Sequence, residues 1–503
     1  MMAHRPPLPT CSPPAARRLA ALLLLMAGMF LAGCASVGPD YQRPAAATSP
    51  DFKESHGWTQ GQPQDQAERG PWWEIYRDPV LNGLVAQVAV SNQTLKADEA
   101  AYREAAAIVD EARSGYVPAV GVSAGATRSG VHTPAGDQVS NQFDLSADAS
   151  WTIDVWGKIR RQVESDVASA QASAAELAAA RLSTQATLAS DYMELRSDDE
   201  LKRLLDATAV EDKRALDITQ NQYQVGVAAL ADVVQAQTQY QTVAAAAVNV
   251  GVSRAQYEHA IAVLSGQPPA NFAISEVTTS LSVPAIPLAV PSALLQRRPD
   301  ISAAERSMAA ANAEIGVAIA AYYPDLSISA SFGFQSSAIN TLLRVANEIW
   351  SVGPELAQTV FDGGLRNAQT AAARDAYDQQ VALYRQTVLG AFEQVEDALA
   401  TLRILGQQLG LQDQAVASAR QAVGLVTNQY QAGTVSYASV IIAQNTYLSN
   451  EQTALGVRTG LLTASVTLIE AMGGGWTTDE LPQAHAIDHR AKAPAQGPGE
   501  SGN

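Results

Sequence analysis

Cysteine is almost missing from this 503-residue chain, which has only Cys11 and Cys34. So few thiols exclude a disulfide framework and any cysteine-rich metal cluster. Histidine is sparse as well: beyond residue 34 there are His56, His132, His259, His485 and His489, scattered and without a His-Glu-x-x-His spacing. No Walker A sequence occurs, so energy for any active process must come from partners. The 7 Met give no soft-ligand path for copper or silver. Positive charge is short: 33 Lys and Arg face 50 Asp and Glu, a net charge of −17 that argues against nucleic-acid binding. After residue 34 no unbroken apolar stretch of ~18 residues occurs, so no spanning helix is indicated. A chain of this kind crosses a membrane only as strands of a closed barrel. Gly121-Val122-Ser123-Ala124-Gly125 matches a hydrolase pattern, but that pattern needs a sharp strand-to-helix turn. Here it lies inside an alternating strand, and no catalytic residue, bound metal or cofactor is expected.

The first 33 residues read as a signal peptide. Arg17 and Arg18 precede an apolar run to Phe30, too short to span a bilayer, and Leu31-Ala32-Gly33-Cys34 closes it. Small residues before a Cys resemble a bacterial lipobox, so Cys34 is the expected lipidation site and the covalent lipid the only attached group. Ala35, rather than Asp, fits release to the outer membrane. Cleavage removes three Arg and no acid, taking the net charge from −17 to −20, and leaves one Cys with no possible intrachain disulfide.

The chain then repeats itself. Gln222-Tyr223-Gln224-Val225-Gly226 returns as Gln429-Tyr430-Gln431-Ala432-Gly433, and Ala236-Gln237-Thr238-Gln239-Tyr240 as Ala443-Gln444-Asn445-Thr446-Tyr447. Tyr116-Val117-Pro118 matches Tyr322-Tyr323-Pro324, Val155-Trp156-Gly157 matches Val360-Phe361, and Gly266 matches Gly473. A nearly constant offset over this span marks a tandem duplication. The expected organisation is a lipidated linker at 34–78, a first repeat at 79–266, a bridge at 267–299, a second repeat at 300–473 and a polar, disordered tail at 474–503.

Each repeat reads helix, two strands, very long helix, tight turn, helix. Strands are expected near 117–128, 142–156, 324–336 and 348–362. From Phe143 to Val155 odd positions are apolar and even positions polar, a period of two. Asp144, Asp148 and Asp154 thereby fall on one face, the expected lumen side, where they would favour cations. Tyr116, Tyr322, Tyr323, Trp156 and Phe361 gather at one end of the strands, as an interfacial girdle would. Such strands are long enough to cross an apolar band of ~25 Å when tilted. Four strands cannot close a barrel; two copies give eight strands and a filled interior, three give twelve and a lumen. A homotrimer is therefore preferred.

Long helices are expected from about Lys158 to Tyr223 and from Leu365 to Tyr430. At 1.5 Å per residue each is roughly 100 Å, and helices of that length persist by coiling against neighbours. Gly226 and Gly433 supply the positive-φ positions that reverse each hairpin.

Together the lipobox, the duplicated units and the Tyr-x-x-Gly turns resemble the outer membrane factor family, in its TolC/OprM-like, NodT-type branch of efflux lipoproteins. Pro39-Asp40-Tyr41-Gln42-Arg43-Pro44, Leu294-Leu295-Gln296-Arg297-Arg298-Pro299-Asp300 and Gly473-Gly474-Gly475-Trp476 carry the resemblance. It implies an α+β membrane protein: long helical hairpins forming a periplasmic tunnel, and a trimeric twelve-stranded barrel in the outer membrane of a Gram-negative bacterium. Implied partners are a periplasmic adaptor and an inner-membrane transporter of the resistance–nodulation–division type, with outer-membrane lipid around the barrel. The implied function is passive conduction of drugs or other small molecules. Tyr223, Gly226, Tyr430 and Gly433 would form the tips where an adaptor docks, and Asp217 fits a gate carboxylate. Where related channels place a second acid, this chain has Leu425-Val426-Thr427, which permits an apolar ring and no carboxylate ring. Alternatives are the same channel serving type I secretion or metal export, and a non-channel coiled-coil scaffold; alternating strands oppose the scaffold.

Overall fold

The structure is a computed structural model that describes residues 36–45, 51–54, 71–134, 136–277, 282–284 and 297–487. The signal peptide, Cys34, His56, Leu294 to Gln296 and His489 lie outside the described residues. The order of elements is α1 (Pro79–Ser91), α2 (Gln93–Ser114), β1 (Ala119–Thr133), β2 (Gly136–Ile153), α3 (Lys158–Gln224), α4 (Leu230–Leu264), α5 (Pro299–Ala320), β3 (Asp325–Ser336), β4 (Glu348–Ala357), α6 (Leu365–Gln431) and α7 (Tyr437–Ala471). Contacts divide the described residues into two compact units, the first drawn from the ranges 1–42, 108–168 and 309–379, the second from 43–107, 169–308 and 380–503.

The first unit carries one four-stranded antiparallel sheet in the order β1-β2-β3-β4. Strands β1 and β2 run further than the sequence suggested, meeting in a tight turn rather than a long loop. Ser129 and Ser140 hydroxyls bond across the pair at 2.9 Å, His132 pairs with Asp137, and Gly136 turns with φ 111°. Strand β4 is shorter than expected because its last rung, Ala357, pairs with Asp325, where β3 begins. Beyond that rung Gln358 reaches back through its side chain, donating to Tyr322 O at 3.1 Å.

The second unit holds the main apolar core. Leu81, Val85 and Val88 of α1 meet Leu188, Tyr192 and Leu195 of α3, Val395 and Leu399 of α6, and Leu462, Val466 and Leu468 of α7. Helix α1 starts on Asp78, whose carboxylate accepts from Val80 N and Leu81 N, with Pro79 in the first turn. Helix α7 is long and apolar enough by composition to cross a membrane. It carries Glu451, Arg458 and Glu470 and lies largely buried against this core, so it packs as a core helix.

The duplication is visible in the ends of the helices. Val227 N–H donates to Gln222 O and Thr434 N–H to Gln429 O, the same six-residue closure around Gly226 (φ 76°) and Gly433 (φ 73°). Gly266 packs on the Ser91 carbonyl and Gly473 on the Arg297 carbonyl, leaving no room for a Cβ at either. The Arg-Arg-Pro-Asp motif acquires a structural reason here: Arg298 donates to Ala471 O at 2.9 Å, to the Asp300 carboxylate and to Gln394.

Candidate functional site

Register turns the alternating pattern into two chemically distinct faces. One row across the sheet is Val122, Ala147, Phe332 and Trp350, and neighbouring rows on that face add Leu145 with Phe334 and Ala330 with Val352. Val122, Phe332, Trp350 and Val352 are exposed where a water-soluble sheet would bury them, Val122, Trp350 and Val352 at 65–76% accessibility, while Leu145, Ala330 and Phe334 are half-buried. The opposite face runs Gly121-Asp148-Ser331-Ser351 and Gly125-Asp144-Gln335. Asp148 accepts from Ser146 at 2.8 Å, and Ser123 meets the Ser146 hydroxyl at 2.9 Å. Gly125 leaves the space that the Asp144 carboxylate fills. Ser123 is thus one member of a hydroxyl ladder. Both edges, β1 and β4, end the sheet. Unpaired edge groups cannot face hydrocarbon, so the sheet is incomplete as a single copy.

Asp154 departs from expectation. It does not share the polar face of Asp144 and Asp148, because β2 ends at Ile153, opposite Leu326. Its carboxylate instead accepts from Ile159 N at 3.1 Å and Arg160 N at 2.9 Å, and pairs with the Arg160 guanidinium at 3.5 Å. It caps α3, where orphan N–H groups and the helix dipole favour a negative charge. Asp362 does the same for α6, accepting from Gly364 N and pairing with Arg366. The Arg366 partner and these N–H groups hold the Asp362 carboxyl below its ordinary range.

Aromatic side chains collect where strands meet helices. Trp156 stacks on Tyr323 with centroids 4.8 Å apart and donates to Pro324 O at 2.8 Å. Trp151 donates to Tyr116 O, Tyr322 to Asn367, and Arg366 lies over the Tyr322 ring. Phe361 is almost fully exposed. A cavity of about 580 Å³ opens beside this collar, with Trp151, Trp156, Asp154, Lys158 and Asp325 in its wall.

At the helix turns the expected residues separate into two environments. Tyr430 packs: its hydroxyl donates to Gln222 at 3.1 Å and its ring lies 5.3 Å from Tyr437. Tyr223 is exposed, as are Val225 and Val227 on either side of Gly226. Asp217 sits on the surface of α3, paired with Lys213 one turn back. Leu425 is exposed and Thr427 half-buried, while Val426 between them joins an apolar cluster with Leu216, Val233 and Tyr437. The residue one repeat earlier than Leu425 is Ile218, and both are 56% exposed. Ile218 escapes a sequence reading because one apolar residue on a long helix carries no signal without its partner. Also hidden in sequence is an amide pair: buried Gln239 donates to the exposed Asn445 at 2.9 Å and accepts from it at 3.2 Å, with buried Asp212 as a further acceptor. Burial raises the Asp212 carboxyl above its ordinary range.

A family model described as outer membrane efflux protein matches residues 84–267 and again 290–474, once on each repeat. The toluene efflux pump outer membrane protein TtgC of Pseudomonas putida is 29% identical over 470 residues, covering 90% of this chain and 96% of its own. The pyoverdine export outer membrane protein OpmQ of Pseudomonas aeruginosa is 27% identical over 425 residues, 82% of this chain and 89% of its own. Among solved structures, the outer-membrane channel OprN matches with a TM-score of 0.81 at 30% identity, covering 88% of this chain and 100% of that one. A sheet with one apolar and one polar face, two duplicated helical hairpins and a family match over both repeats agree: this chain is an outer-membrane channel component and belongs to the outer membrane efflux protein family.

Proposed function

We propose that three copies of the chain close into a twelve-stranded barrel whose polar face, with Asp144 and Asp148, lines a water-filled lumen. The single observation behind this is the four-stranded sheet with an exposed apolar face and two open edges. Eight strands would leave an interior filled by side chains, whereas twelve leave a conduit. The long hairpins continue that conduit through the periplasm. The tips around Tyr223, Gly226, Tyr430 and Gly433 meet a periplasmic adaptor, and an inner-membrane proton-driven transporter of the resistance–nodulation–division type loads the duct. Cys34 carries the lipid. The chain itself performs no chemistry and conducts passively; Asp217, with Leu425 and Thr427, narrows the tip at rest. The named relatives serve cargoes as different as toluene and pyoverdine, which supports cargo selection by the transporter rather than by this chain.

A deletion strain challenged with antibiotics, solvents and metal salts, and complemented with the intact gene, tests this reading. Accumulation of several small organic compounds, reversed by complementation, is expected. Unchanged accumulation of all of them together with loss of one secreted protein would assign the channel to protein secretion.

A further inference from the structure

Residues 36–40 lie in a groove built for them. Val37 N–H donates to Trp156 O at 3.0 Å. Gly38, with φ 97°, rests directly on Gly316, where a Cβ on Gly38 would come within 2.5 Å of the Gly316 Cα. A Cβ on Gly157 would meet the Ser36 Cα at 2.7 Å, and one on Gly316 would strike the Arg161 stem at 2.7 Å. Arg161 closes the groove. Its side chain is 4% exposed; Nε donates to Val37 O at 3.1 Å, Nη2 to Gly38 O at 3.3 Å and to the Asp40 carboxylate at 2.8 Å, and Nη1 to Glu164 at 2.7 Å. From α5, the Asn312 amide donates to Pro39 O at 3.0 Å.

The second repeat shows that this is not a by-product of the fold. Gly364, the counterpart of Gly157, keeps a positive φ of 93° but has nothing within 4 Å of an added Cβ. The counterpart of Arg161 is Ala368 and that of Gly316 is Asp110. The duplicated helix start therefore survives without the clasp where no strap needs holding.

We propose that Arg161 is the positioning residue of the lipid anchor. It holds Val37 against Trp156, the residue that stacks on Tyr323 in the aromatic collar. Cys34 is three residues upstream, so a lipid on it would be attached no more than about 11 Å along the chain from Val37. A planar fork serving several oxygens at once is a task for Arg and not for Lys. The fixed entry point keeps the base of the sheet at the membrane interface instead of on a free tether. This inference rests on the proposed lipidation of Cys34.

The test uses cells fed a diazirine-bearing fatty acid, with photocrosslinks mapped by mass spectrometry on the full chain. In the wild type, crosslinks should concentrate on residues 150–156 and 322–326. Arg161→Leu, and separately Gly38→Val, which displaces the strap while leaving the guanidinium intact, should keep the label but scatter the crosslinks at least fivefold. Arg161→Lys should fall between. Crosslinks that stay on the collar in both variants overturn the proposal. If the wild type takes up no more label than Cys34→Ser, the lipid reading fails instead. Amide exchange at Val37 then judges the clasp alone: at least tenfold acceleration in Arg161→Leu upholds it, and no change refutes it.

Discussion

The two repeats have helices of identical length, 67 residues in α3 and α6 and 35 in α4 and α7, yet they are covered by opposite chemistry. In the first repeat Asp199 is buried between two guanidiniums, Arg196 at 2.9 Å and Arg254 at 2.6 Å. Arg196 also donates to Ser275 O, and Arg254 to Ile274 O and Glu258. Tyr192 donates to Asp78 and receives Arg196. One repeat later the same positions are Leu399, Gly406, Leu461 and Ser465. The two leucines belong to the apolar core, and Ser465 shares a 2.7 Å hydrogen bond with Tyr76. The difference follows from what lies over each hairpin. The bridge after the first repeat brings backbone carbonyls that need donors when buried. The apolar residues Phe52, Trp72 and Tyr76 join the core around the second repeat and ask only for apolar surface. Arg196 and its counterpart Arg403 keep one shared duty, each fastening a linker, since Arg403 pairs with Glu54 of the N-terminal segment.

The largest effect is expected where this contrast is sharpest. Asp199→Ala strips two buried guanidiniums of their shared carboxylate and should cost about 3–5 kcal/mol. The counterpart change, Gly406→Ala, fills open space in a helix interior and should stabilise by up to ~1 kcal/mol. Thermal midpoints of the purified variants measure both, and similar shifts of one sign would erase the proposed asymmetry.

The turns offer the converse comparison, since both repeats close them identically. Inserting an Asp after Gly226 or after Gly433 should abolish efflux while the protein still assembles, checked by drug accumulation and by gel mobility without heating. The insertion beside exposed Val225 and Val227 should be the more damaging; a fully active mutant of either kind contradicts docking at the tips.

A smaller change is expected at Asp217, whose counterpart is Gly424. Its exposed pair with Lys213 is worth only ~0.3–0.5 kcal/mol. Asp217→Ala should therefore raise leak by about twofold per subunit, and by up to about tenfold over three. Unchanged conductance in planar bilayers removes Asp217 from the gate.

A pH dependence is expected at Asp191 of the first repeat. Burial pushes the Asp191 carboxyl up from 3.8 to about 6; Glu194 and Tyr257, which feel its charge from α3 and α4, are raised as well, as is Asp198 beside them. Because the folded pKa is raised, the stabilisation is complete below about 4 and is lost as pH rises through about 6. The thermal midpoint should be higher at pH 5 than at pH 7.5, and Asp191→Asn should flatten that difference. Ala398 stands at this position in the second repeat. An unaltered profile in Asp191→Asn would falsify the assignment.

Much of this architecture is legible in sequence because it is periodic. Alternation over Phe143 to Val155 and the repeated Gly226 and Gly433 turns encode strand faces and helix reversals locally. Asp154 shows where periodicity misleads: its parity matches Asp148, but β2 ends one residue before it, at Ile153, and the nearby helix start claims the carboxylate. The Asp199 knot joins residues 55 positions apart, and Arg161 reaches back 121 positions to Asp40. Neither pairing leaves a spacing signal. Both could have been suspected by setting each repeat beside the other, where Arg254 stands against Leu461 and Arg161 against Ala368.

The central claim is that one chain supplies a third of the conduit. Native mass spectrometry of the detergent-purified protein tests it directly. A single dominant species of three chains is predicted; a monomer, or a dimer of eight strands, would contradict the account.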